Sequence, residues 1–209
     1  MSQLLQEVDA SALPETALQL WHKALLATKI HNDDYAVLLL SNLLKTYPGF
    51  VECRRLLRRT QISMASPLKK PHSNKGKGVL LLMKVRSKKK PQQTLERIEG
   101  LLSKDPFSIT LNEGLFQCAV SLGLTETAEF ALETIHTYNP THTSTLHKLA
   151  EHYSSCAKYS EAARVYQSII HHKPHDTKAV RKEKDCIAKA SMTQNQSIGS
   201  TQETIDKET

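Results

Sequence analysis

Ten histidines and four cysteines are the residues of this 209-residue chain best suited to hold a metal or attack a substrate. His171, His172 and His175 cluster, and His142, His147 and His152 recur every five residues. Two ligands on one helix face need a separation of three or four. His171 and His175 have that separation, but Pro174 between them ends a helix. A separation of five turns neighbours onto different faces, and no Asp, Glu or Cys completes a set. His171, His172 and Lys173 are better placed as the last turn of a helix, facing the negative end of its dipole. Cys53, Cys118, Cys156 and Cys186 lie 30 to 65 residues apart without a C-x-x-C pair. That is neither a zinc spacing nor a disulfide framework, so packed, reduced thiols are expected. Asp33 and Asp34 sit in the turn "HNDD", where helix capping explains them. The chain has no G-x-S-x-G, H-E-x-x-H or G-x-G-x-x-G, and "GKG" at 76–78 lacks the phosphate-loop spacing. No catalytic residue, metal, cofactor or small-molecule substrate is expected.

The elements that would position these residues are set by a period. Pro106, Pro140 and Pro174 are each 34 residues apart, and so are Pro14 and Pro48. The gap from Pro48 to Pro106 is 58, one period plus 24. Ala36, Thr94, Ala128 and Ala162 stand twelve residues before the four later prolines. Leu40, Ile98, Leu132 and Tyr166 stand eight before, and Leu43, Leu101, Ile135 and Ile169 five before. Steps of four and three put these side chains on one helical stripe. The last unit adds Leu146, Leu149, Ala150 and Tyr153 upstream.

This arrangement closely resembles the tetratricopeptide repeat, W-x2-L-G-x2-Y…A-x3-F…P, at its 34-residue length. Leu stands for Trp, Ala for Gly and Tyr for Phe. The unit before keeps Leu115, Ala119, Ala128, Leu132, Ile135 and Pro140, with Asn112 and Phe116 at two signature places. The first keeps Leu20, Ala24, Ala27, Ala36, Leu40, Leu43 and Pro48.

The resemblance implies an all-α fold, a right-handed superhelical solenoid of antiparallel helix pairs. Units at 14–48, 49–106, 107–140 and 141–174 follow an N-terminal segment, 1–13. Helix pairs are expected near 15–29 and 32–46, 49–64 and 91–104, 109–121 and 125–138, and 143–156 and 159–172. A polar capping helix, with Val180 and Ile187 on its apolar stripe, should run over 177–192, before a disordered tail, 193–209. The low aromatic content of 5% and only 7 glycines agree with a Leu- and Ala-rich helical core. "MSQLLQEVDASALPE" lacks a basic n-region, which makes a cytoplasmic protein the default.

The extra residues form a basic insertion at 66–89. Of 28 Lys and Arg in the chain, 13 lie between Cys53 and Leu95 with no Asp or Glu among them. The remainder of the chain carries 15 basic and 21 acidic residues, a net of −6. Lys69, Lys70, Lys75, Lys77, Lys84, Arg86, Lys88, Lys89 and Lys90 are the insertion's candidate contacts. A charge block of this kind is a solvated loop, a contact for RNA or an anionic membrane surface, or a site for an acidic protein. No aromatics are interleaved, so base stacking is not supported. "GVLLLMKV" is short for an interfacial helix and could instead dock on the solenoid.

Members of the family the chain resembles are mostly binding scaffolds, with a concave groove lined by each unit's first helix. Transferred by position, the groove candidates are Trp21, Leu25 and Thr28 in the first unit, and Glu52, Arg55 and Arg59 in the second. The third offers Glu113 and Gln117, and the fourth His147, Glu151 and Ser154. Each is equally an ordinary solvated helix position, and Trp21 is either core or a contact anchor. Thr110, Glu113, Gly114 and Gln117 stand where chaperone-serving relatives hold a carboxylate. Glu113 would repel one, so that specialisation is not expected. The function expected is protein interaction or assembly scaffolding, with an RNA- or ribosome-associated role and a membrane-surface adaptor as alternatives. An RNA role predicts affinity that falls steeply between low and moderate salt. Filter binding to a chain deleted for 66–89 decides it, since unchanged affinity eliminates the insertion as the RNA contact.

Overall fold

The computed structural model describes residues 5–65 and 90–205, with side chains up to Gln194. The insertion 66–89 lies outside the described residues, so among its candidate lysines only Lys90, exposed ahead of a helix, is placed. The described residues are all-α, in consecutive antiparallel helices, and divide into two compact units, Met1–Tyr138 and Asn139–Thr209. No described helix is long and apolar enough to cross a membrane.

The first unit begins with an extended segment and a 3-10 turn, Ala10–Ala12, capped by the Asp9 carboxylate. Six helices follow among its described residues: α1 (Glu15–Lys29), α2 (Asp33–Thr46), α3 (Val51–Met64), α4 (Pro91–Leu102), α5 (Ile109–Leu122) and α6 (Thr125–Tyr138). These agree with the sequence-based helices to within about two residues at each end. Local chemistry sets the boundaries. The Asn32 side chain accepts the Tyr35 amide at 3.4 Å, and Ser108 accepts the Leu111 amide at 3.4 Å. Gly123 closes α5 in the left-handed region, φ 78°. Pro48 and Pro106 follow α2 and α4, which they cannot continue.

Among the described residues of this unit, apolar side chains gather in two clusters. One gathers Trp21, Leu40, Leu43, Phe50, Cys53 and Leu57 from α1–α3. The other gathers Leu95, Ile98, Leu102, Leu115, Cys118 and Ala128 from α4–α6. Backbones pack closely between α1 and α2, α2 and α3, α4 and α5, and α5 and α6. The expected pair of α3 with α4 is not among these; the two helices meet through side chains.

Two stripe positions are corrected. Leu20 and Leu101 are 38% and 36% exposed, while their neighbours Trp21 and Leu102 are buried. One residue is a 100° turn, so a small rotation of the packing face exchanges adjacent apolar residues. Trp21 is core, its ring edge-on to Phe50 at 4.9 Å.

The second unit contains α7 (Thr143–Ser155), α8 (Tyr159–His172) and α9 (Thr177–Ile205). Leu146, Leu149, Ala150 and Tyr153 of α7 are buried together with Ala162, Tyr166 and Ile169 of α8, as the repeat pattern requires. His171 and His172 are exposed in the last turn of α8. On α9 the expected stripe is displaced. Ala179 and Cys186 are buried, whereas Ile187 is 51% exposed. The helix also runs to Ile205, past the expected end at Met192. Helical hydrogen bonds are local, so a polar stretch without proline continues a helix beyond its apolar face.

Replacing Gly123 with Ala puts a Cβ at a positive φ. The loss should be about 1 kcal/mol, read as a shift in the urea midpoint at unchanged slope.

Candidate interaction site in the first unit

Helix α3 carries four arginines in the run "CRRLLRR", and the helical period splits them between two faces. Arg54 and Arg58, four apart, lie on the inner side with Cys53 and Leu57, and all four are buried. Arg55 and Arg59 are exposed, and Arg55 lies over the Phe130 ring of α6, 5.6 Å from its centroid.

The buried pair converges on one carboxylate. Arg54 Nε donates to Glu99 Oε1 at 2.8 Å, and Arg58 Nη2 donates to Glu99 Oε2 at 2.9 Å. Arg54 also donates to Thr127 Oγ1 at 2.9 Å and to the Pro48 carbonyl at 2.7 Å, and Arg58 donates to Gln61 at 2.7 Å. Five of the six guanidinium nitrogens therefore donate to a partner, while Arg58 Nε has none. Burial raises the Glu99 pKa, but the Arg58 and Arg54 guanidiniums outweigh it and hold the carboxyl below its ordinary range. Beside the cluster is a cavity of about 470 Å³, lined among others by Leu5, Leu44, Leu57, Leu95, Arg54 and Glu99.

The N-terminal segment is strapped across the same region. Leu5 N donates to the Leu122 carbonyl at 2.8 Å, and Val8 N to the Gly49 carbonyl at 3.1 Å. The Glu7 carboxylate accepts the Glu126 and Thr127 amides at 2.8 and 2.7 Å, capping the N-terminus of α6. Leu5 packs on the α4–α6 cluster and Val8 on the α1–α3 cluster. One short segment thus touches both apolar clusters.

The groove candidates fall into distinct environments. Trp21 is core. Leu25 and Thr28 are half-buried, with Thr28 Oγ1 donating to the Leu25 carbonyl at 2.7 Å. Glu52, Arg55, Arg59 and Gln117 are exposed, and Glu113 is half-buried. In the second unit, Glu151 and Ser154 meet α9, and His147 meets Asp176 just before it. His147 Nε2 lies 2.9 Å from Asp176 Oδ2, Lys178 donates to Glu151 at 2.9 Å, and Ser154 Oγ lies 3.4 Å from Cys186 Sγ.

Arg54, Arg58, Glu99 and Glu7 escaped the sequence reading. Counting charge along "CRRLLRR" hides that two of its arginines share the inner face, a signal readable from their spacing of four beside Cys53 and Leu57. Nothing in the sequence points Glu7 at α6. Burial pushes the Cys53 and Cys118 thiols up to about 12, so both are protonated and unreactive at neutral pH.

No family model matches this chain, and no curated protein does. Among solved structures it is similar to one described as the crystal structure of MamA protein. The two share 16% identity at a TM-score of 0.43, over 88% of this chain and 87% of that one. Similarity at this level says nothing of function.

Glu99→Gln would leave two buried guanidiniums facing a neutral amide. The expected cost is about 3 kcal/mol in urea unfolding at pH 7. Because the folded pKa of Glu99 is depressed, its contribution is complete above the unfolded value and drains away as pH falls through the folded one. An acid titration of stability should show this component in the wild type and not in the variant.

Proposed function

We propose that the chain is a non-catalytic protein-interaction scaffold of the tetratricopeptide kind, whose exposed first-helix faces receive an acidic segment of a protein partner. The observation that supports this reading is the division of arginines on α3. Arg54 and Arg58 are consumed internally by Glu99, whereas Arg55 and Arg59 face solvent one helical turn apart. Contact with the Phe130 ring gives the Arg55 guanidinium a defined position, which reduces the ordering cost of binding.

The nine further lysines and arginines from Lys69 to Lys90 give the following sequence the same sign, so an acidic partner is attracted along the whole stretch. The engagement of Glu151 and Ser154 by α9, and of His147 by Asp176 before it, favours the first unit over the second as the receiving surface. In this reading the protein works by presenting charge and shape on rigid helices, and no bond is made or broken.

The double variant Arg55→Glu/Arg59→Glu tests it. Both sites are exposed, so stability should change by about 1 kcal/mol or less. Protein partners recovered by affinity capture with the wild type should be lost with the variant, and an unchanged partner set overturns the assignment.

A further inference from the structure

The strap formed by Leu5–Asp9 has the geometry of a bound peptide. Its backbone is held through amide donors to the Gly49 and Leu122 carbonyls. Main-chain bonds of this type hold an extended segment without regard to its sequence. Sequence is read at three places only. Leu5 and Val8 each contact an apolar cluster, and Glu7 sets both carboxylate oxygens on the first amides of α6.

The receiving surface is built for this approach. A Cβ on Gly49 would run into the Gln6 carbonyl oxygen, so only glycine admits the segment there. The strap also fits incompletely. Leu5 borders the cavity of about 470 Å³, and none of Leu5 to Asp9 is fully buried. A side chain larger than leucine would find room at this position.

We propose that this surface is a peptide-binding site occupied in cis by the chain's own N-terminal segment, which a partner displaces in trans. The partner chemistry is an extended segment with a large apolar residue two places before a glutamate and a smaller apolar residue just after it. The strap is then an autoinhibitory occupant. A weak cis ligand lowers the apparent affinity for the partner by the fraction of time the site is open. The site uses residues other than Arg55 and Arg59, so it stands or falls independently of that face.

The test is fluorescence anisotropy with a labelled synthetic peptide, QLLQEVDASA (residues 3–12), and full-length protein. Glu7→Ala in the protein removes the carboxylate anchor of the strap and leaves the receiving surface intact. It should bind the peptide at least about tenfold more tightly than the wild type does. A peptide with Phe at the Leu5 position should bind more tightly than QLLQEVDASA, and one with Lys at the Glu7 position should not bind. Adding Gly49→Val to the Glu7→Ala protein should abolish binding. A folded Glu7→Ala protein that binds no better than wild type makes the strap a structural element only and overturns the proposal. Concentration-dependent dimerisation of that variant, without peptide binding, assigns the site to a second copy and overturns it too. If Glu7→Ala does not fold, hydrogen exchange on the wild type decides. The Leu5 and Val8 amides should exchange at least about a hundredfold faster than those of α2, and equal protection overturns the proposal.

Discussion

The first unit depends on one carboxylate. Glu99 lies between Arg54 and Arg58 at the place where α3 and α4 would otherwise close an apolar interface. Its side chain is 13% exposed, and those of the two arginines are 1% and 2% exposed. Taking such charges out of water is costly, and the attraction repays it only where the geometry is good and the donors are satisfied. Here the cation on α3 is tied at once to α4, to the start of α6 and to the Pro48 carbonyl. The cluster therefore fixes direction as well as contact, because a guanidinium fork donates in its own plane.

That polar junction explains the features around it. Among the described residues the apolar side chains gather in an α1–α3 cluster and an α4–α6 cluster. A cavity of about 470 Å³ remains beside the junction, bordered by Leu44, Leu57 and Leu95 as well as by Arg54 and Glu99. The N-terminal segment then crosses the divide with Leu5 on one cluster and Val8 on the other. Thr127 takes part in both arrangements, with its hydroxyl accepting from Arg54 and its amide donating to Glu7. Within the second unit, α9 is held by burial of its Ala179 and Cys186 and by polar contacts with Glu151 and Ser154.

Much of this was legible beforehand because the signals are local. The 34-residue spacing of the prolines marks helix ends, Asn32 caps α2, and the steps of four and three mark buried stripes. Leu101 and Leu20 missed by one residue for a physical reason. Periodicity defines a face about 100° wide, and the neighbouring helix decides which of two adjacent side chains lies at its centre. The end of α9 missed for another, since loss of an apolar stripe says that a face is no longer buried and not that the backbone unwinds.

What the sequence by itself determined is the kind of element and, for α1 to α8, its ends to within about two residues: helices, with Pro48, Pro106, Pro140 and Pro174 following those they close. These follow from backbone sterics and side-chain periodicity, which act over a few residues. What only the tertiary structure decided is which charges meet. Arg54 and Arg55 are neighbours of the same type, yet one is buried against Glu99, 45 positions away, and the other lies over Phe130 at the surface. Glu7 finds its amides 119 and 120 positions along the chain. Electrostatic partners are set by distance in space, and the folded arrangement of helices alone supplies it.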